Sequence, residues 1–174
     1  VDKDALQNDI VAWHRRNYPK DDQFSALLGV QEEIGELNRA ELKQEGGIRG
    51  TWDEWQIEKH KEAGDVLIGI LNFCGFRGIK ISDALKAITS LPPVKDQKLA
   101  LLLVSISFGQ LVDNATCGLG QRTPWFIGSL YRDVESYCYL CGFDPNEVLT
   151  ARWETISKRD FIANPATGGR ENES

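Results

Sequence analysis

The chain has 174 residues, 41% of them hydrophobic and 26% charged, with a formal net charge of −6, which fits one compact domain with a real core. Its acidic balance, with a pI near 5.0, argues against the basic stripe that binding a nucleic-acid polymer requires. No uninterrupted apolar run approaches the ~20 residues of a membrane span, and no charged-then-apolar leader precedes Asp2-Lys3-Asp4, so no membrane partner and a cytoplasmic location are expected.

Taken in chain order, the punctuation predicts an all-α protein. Asp4 to Asn17 reads as an amphipathic helix, with Leu6, Ile10 and Trp13 on one side, ended by Tyr18-Pro19. A long helix from Phe24 to about Gln44 is broken by Glu45-Gly46-Gly47-Ile48-Arg49-Gly50. Thr51 or Asp53 can cap the next, from about Glu54 to Phe76. Ser82 is placed to cap a short helix to about Thr89, before Leu91-Pro92-Pro93. Three further helices follow: Lys98 to about Asn114, Pro124 to about Cys141, and Asp144-Pro145 to about Lys158, with a loop at Cys117 to Gln121. Sustained period-two alternation and Asn-Gly or Asp-Gly hairpin turns are missing.

The second set echoes the first. Leu27-Leu28-Gly29-Val30 with Gly35-Glu36-Leu37 aligns with Leu101-Leu102-Leu103-Val104 and Gly109-Gln110-Leu111, and Cys74-Gly75-Phe76 aligns with Cys141-Gly142-Phe143. In that alignment Glu33, Glu36, Glu62 and Asp65 become Ser107, Gln110, Ser129 and Arg132. The expectation is a single domain: an acid-bearing half over 1–90, a degenerate half over 95–161, and a loose tail over 162–174. The four cysteines include a lone Cys138-x-x-Cys141 without two further ligands at zinc spacing, so reduced thiols are expected.

Two acidic pairs carry the chemistry. Glu33-Ile34-Gly35-Glu36 and Glu62-Ala63-Gly64-Asp65 each put two carboxylates on one helix face. Both adjoin apolar runs: Leu27, Val30, Ile34 and Leu37 form a seam beside the first, and Val66 to Phe73 follows the second. Carboxylates in such surroundings must be neutralised, paired or bound to metal. Four converging carboxylates suit a hard divalent cation, magnesium, with manganese as a substitute. Glu33, Glu36, Glu62 and Asp65 are the expected ligands. Glu32 is turned about 100° from the stripe; it is either a base that orients water or a solvent-facing acid.

Glu32-Glu33-Ile34-Gly35-Glu36-Leu37, followed by Glu62-Ala63-Gly64-Asp65-Val66-Leu67, resembles the E-E-x-x-E…E-x-x-D signature of the MazG-like all-α nucleoside triphosphate pyrophosphohydrolases. Asn72 and Cys74-Gly75-Phe76-Arg77-Gly78-Ile79 resemble its continuation. The resemblance covers roughly Ala5 to Ala87. A later Lys-x-x-x-Asn-x-x-Arg stretch is missing after Lys86, with at most a degraded echo at Arg152, Ile156 and Arg159. It implies a four-helix-bundle core, here with an internal repeat of the helix pair, and magnesium-dependent hydrolysis of a nucleoside triphosphate to monophosphate and pyrophosphate. Many such enzymes clean the nucleotide pool, and most assemble from paired protomers, so a homodimer is one expectation. The alternatives are an enzyme like phosphoribosyl-ATP pyrophosphatase and a non-enzymatic, metal-binding regulatory module.

A triphosphate substrate needs cations and a flat apolar wall. Lys59 falls near the acidic stripe by its spacing, and Lys158 and Arg159 precede the aromatic Phe161. Trp52 and Trp55 sit between the two acidic motifs, where they either close over a base or pack the loop. Asn72, seven residues after Asp65, either bonds substrate or is satisfied by a neighbouring helix.

Overall fold

The computed structural model describes residues 1–89, 93–117 and 122–165. The expected break at Leu91-Pro92, the loop at 118–121 and the tail at 166–174 lie outside the described residues. Among the described residues every regular element is a helix: α1 (Lys3–Asn17), α2 (Gln23–Gly46), α3 (Trp52–Arg77), α4 (Ile81–Lys86), α5 (Gln97–Thr116), α6 (Thr123–Leu140) and α7 (Pro145–Ile156).

Local chemistry sets most of these boundaries. Asp22 accepts the backbone N–H groups of Phe24 and Ser25 at the start of α2, and Gly47 closes that helix in the left-handed region at φ 59°. Thr51 and Glu54 form a reciprocal capping box at the start of α3, and Gly78 ends it at φ 64°. The start of α4 departs from expectation. Ser82 lies inside the first turn rather than at its cap. Its backbone N–H and hydroxyl donate to Asp4 on α1 at 3.0 and 2.7 Å, and the Ile81 N–H donates to Gln7 at 2.8 Å. The capping groups come from another helix, and the Ser82 hydroxyl bond holds the Asp4 carboxyl below its usual range.

α2 packs along α3 and α5 packs along α6; α3 also meets α6, and α2 meets α5. These four helices therefore close a ring of contacts. α1 and α7 lie against α3, and α4 lies against α6. α3 is the centre, and Val66, Leu67, Leu71 and Phe73 are fully buried in it. Close crossings depend on glycine. A Cβ at Gly64 would stand 2.6 Å from the Arg152 Cβ and 3.1 Å from the Val148 carbonyl oxygen, so α7 reaches α3 only because that side chain is missing. Gly128 likewise lets α6 lie on the Ala84 carbonyl of α4.

α5 differs from the reading of apolar runs. Among the described helices it alone is long and apolar enough to cross a membrane by length and composition, with a mean hydropathy of 1.4 and 39% of that window buried. Ser105, Ser107 and Gly109 interrupt its apolar residues, so no run stands out, although the helix average is high. Leu99, Leu102 and Ile106 remain exposed on it. The four cysteines are free thiols, and burial pushes Cys74 and Cys138 up to about 12, which leaves them poor nucleophiles and poor metal ligands.

Candidate metal centre

The acids meet where α2 and α3 run side by side. Carboxylate oxygens of Glu33, Glu62 and Asp65 all lie within 4.8 Å of one another. Glu62 is 1% exposed and Asp65 7% exposed, while Glu33 is half-buried. Among the described residues Glu62 Oε2 is buried without a hydrogen-bond partner, and an unpaired polar oxygen is costly in a folded core. Glu36 is also half-buried and Glu32 is exposed. Both lie outside this triad but close enough for their charges to act on Glu33.

The electrostatics follow from crowding. Burial first, then the charges of Asp65, Glu62, Glu36 and Glu32, push Glu33 up to about 8. Burial also pushes Glu62 up to about 7; a hydrogen bond from Lys61 opposes the rise, and Glu58 and Asp65 add to it. Cations answer part of this charge. Lys61 Nζ lies 2.6 Å from Glu62 Oε1 and 3.2 Å from Glu58 Oε1. Arg152 of α7 donates Nε–H to Asp65 Oδ1 at 2.7 Å. The donor set consists of carboxylate oxygens alone, which suits a hard divalent ion and not a soft one. An unpartnered oxygen within that set fits the same ion.

The other candidates are scattered. Lys59 is not at the carboxylates. It is fully buried, donating to Glu41 Oε2 at 3.0 Å and Gln44 Oε1 at 2.6 Å, and Tyr137 of α6 donates to the same Glu41 oxygen at 2.7 Å. Its spacing from Glu62 suggested one face, yet two acceptors on α2 draw the ammonium inward. Trp52 and Trp55 precede Glu62 by ten and seven residues, about 15 and 10 Å along the helix axis. Trp52 is exposed 6.0 Å from Lys59 Nζ, and the half-buried Trp55 ring lies 5.2 Å from Lys43 Nζ.

Lys158 is exposed, and the Arg159 carbonyl accepts the Trp13 indole N–H at 3.0 Å. That stretch is docked on α1, with Phe161 edge-on to Trp13 at 6.3 Å. Asn72 lies about 10 Å along α3 from Asp65, buried, with Oδ1 unpartnered among the described residues. An open apolar hollow of about 240 Å³ is lined by Gln56, Ile57, His60 and Phe143. His60 is turned about 200° from Glu62 on the helix, so this hollow belongs to the opposite side of α3.

Sequence reasoning left three neighbours outside the site. Glu58 stands one turn before Glu62 on the same stripe, a signal that spacing offered. Lys61 adjoins Glu62 in sequence, and Arg152, which entered only as part of a degraded motif echo, reaches Asp65 from α7. The second helix pair also keeps buried acids, Asp133 and Glu135. Ser107, aligned with Glu33, donates to the buried Asp133 at 2.5 Å, one residue beyond the Arg132 that aligns with Asp65. Arg132 itself is exposed and pairs with Glu135 at 2.7 Å. Comparison with known proteins finds no matching family, no similar curated protein and no similar solved structure.

Proposed function

We propose that this chain is a magnesium-dependent nucleoside triphosphate pyrophosphohydrolase of the MazG-like all-α type, in which water and a nucleoside triphosphate give the monophosphate and pyrophosphate. One observation carries the reading: three carboxylates from two packed helices within 4.8 Å of one another, with Glu62 Oε2 buried and unpartnered among them. Glu33, Glu62 and Asp65 hold the ion, which supplies charge neutralisation and polarisation of phosphoryl oxygens when bound. Glu36 and Glu32 flank the triad on α2 and are the groups left to orient the attacking water and take its proton. Lys61 and Arg152 bring positive charge to the edge of a site that must accept a polyanion. The ring of contacts among α2, α3, α6 and α5 supports a four-helix-bundle core built from two related pairs, the second retaining Asp133 and Glu135 as buried acids. On this reading one chain supplies the whole bundle, and the side chains that reach the acids come from α2, α3 and α7.

The test is product analysis over a panel of ribo- and deoxynucleoside triphosphates, with and without magnesium. Monophosphate plus pyrophosphate, lost on chelation, is expected. A folded protein that turns over no member of the panel would reject the proposal.

A further inference from the structure

Two of the three clustered carboxylates already hold a cation. Lys61 sits 2.6 Å from Glu62 Oε1 and Arg152 sits 2.7 Å from Asp65 Oδ1. The two carboxylates are 1% and 7% exposed as side chains, against 37% for Lys61 and 11% for Arg152. Among the described residues the charges acting on Glu33 are all acidic, and Glu62 Oε2 is buried with no hydrogen-bond partner.

We propose that Lys61 and Arg152 are resident counter-ions. They compete with a divalent cation for Glu62 and Asp65, and once displaced they turn to the phosphates of the substrate. The first half of this proposal rests on the metal centre alone; the second half rests on the proposed function.

The chemistry of the contacts supports exchange over permanent bracing. A divalent ion about 2.1 Å from a carboxylate oxygen would stand within about 5 Å of a cation bonded to that same oxygen, and like charges this close repel strongly at reduced dielectric. Arg152 uses Nε for Asp65, which leaves the terminal fork for another anion. A phosphate is the anion that a guanidinium fork fits. Gly64 fixes the base of that arginine, since the Arg152 Cβ and Cγ fill the space a Gly64 side chain would take. The tip is held by one hydrogen bond and can swing. Lys61 carries its charge on a flexible four-carbon stem at the site's exposed edge.

Exchange predicts an inverted sign. Arg152→Gln and Lys61→Met should each bind manganese about fivefold more tightly than the unsubstituted chain, as expected when an ion pair of modest net strength is removed from competition. The same variants should bind an α,β-imido nucleoside triphosphate about tenfold more weakly in saturating magnesium, because a charge-assisted contact is lost. Lys98→Met, which removes the exposed Lys98–Glu45 pair, should change neither. A spectroscopic arm reads displacement directly. The Arg152 Nε–H cross-peak, assigned by its loss in Arg152→Gln, should move on saturation with magnesium.

Lys61 is over a third exposed, so its variant keeps the test valid if Arg152→Gln unfolds by circular dichroism. Unchanged or weaker manganese binding in the folded variants, or an Arg152 resonance unmoved at magnesium saturation, would overturn the exchange. Failure of manganese to bind the unsubstituted chain would instead overturn the metal centre. Tighter manganese binding with unchanged analogue affinity would overturn only the phosphate-facing half.

Discussion

Lys59 of α3 and Glu41 of α2 form a buried ion pair at 3.0 Å, with the lysine side chain fully enclosed and the glutamate 9% exposed. Tyr137 donates to the same glutamate oxygen from α6, so one carboxylate ties together three of the four helices in the ring. Breaking a buried pair by removing one partner strands a charge in low dielectric. Lys59→Met or Glu41→Gln alone should therefore cost about 3–5 kcal/mol. The double variant should recover about 1–3 kcal/mol relative to the sum, as coupled neighbours do, since glutamine still accepts the Tyr137 hydroxyl. Urea unfolding of the four proteins completes the cycle; additive losses would show that the pair is not coupled.

The carboxylate triad should trade stability for ion binding. Glu33→Gln removes one of several repelling acids, so it should raise the melting temperature of the metal-free protein by about 2–4 °C, the shift expected for about 1 kcal/mol. The same variant should lose measurable manganese binding by calorimetry, as should Asp65→Asn. Glu36→Gln, outside the triad, should retain binding but lose most turnover. A metal-free Glu33→Gln protein less stable than its parent would show that the acids are not in conflict.

The pH dependence has a definite sign. In the folded chain Glu33 is pushed up to about 8 and Glu62 to about 7, above the ordinary value of 4.5 they return to on unfolding. The folded state therefore holds protons that the unfolded state has released. The stability this confers is fully present below about pH 4.5 and is lost as pH rises through 7 to 8. Metal-free protein should melt progressively lower across that window, and manganese affinity should climb across it as the ligands lose protons. Thermal scans from pH 5 to 9, with and without manganese, should diverge; parallel curves would contradict the crowding.

Gly64 and Gly109 should respond oppositely to alanine. The Gly64 Cβ would stand 2.6 Å from Arg152, whereas nothing lies within 4 Å of one at Gly109. Gly64→Ala should destabilise by about 1–3 kcal/mol through overpacking and release the Arg152–Asp65 contact. Gly109→Ala should stabilise by up to about 1 kcal/mol through helix propensity. Equilibrium unfolding of both variants decides the matter.

Helix identity was largely legible because apolar spacing and caps are local. Thr51 or Asp53 was expected to cap α3 and Thr51 does so, with Glu54 completing the box; Glu33, Glu62 and Asp65 were found from spacing beside apolar seams. What spacing supplies is a face, and neighbours across that face come from elsewhere. Lys59 shares a face with Glu62 by count, but Glu41, Gln44 and Tyr137 decide where its ammonium goes. Ser82 is a plausible cap by type, yet Asp4 and Gln7 cap that helix from α1. Arg152 is one of several cations near the end of the chain, and only the missing side chain at Gly64 makes it the partner of Asp65. Long-range pairings of this kind leave no periodic trace in one sequence.

Arg152 follows Asp65 by 87 residues, which gives the centre a history within each molecule. The three acids leave the ribosome first and the arginine last, an interval of roughly 4–17 s at ordinary elongation rates of about 5–20 residues per second. When that interval opens α2 is already made, and α3 is completed twelve residues into it, while Arg152 has yet to be added to the chain. Lys61, four residues before Asp65, is the counter-ion that synthesis delivers on time; for Asp65 the nascent chain must wait, or take its first cation from solution.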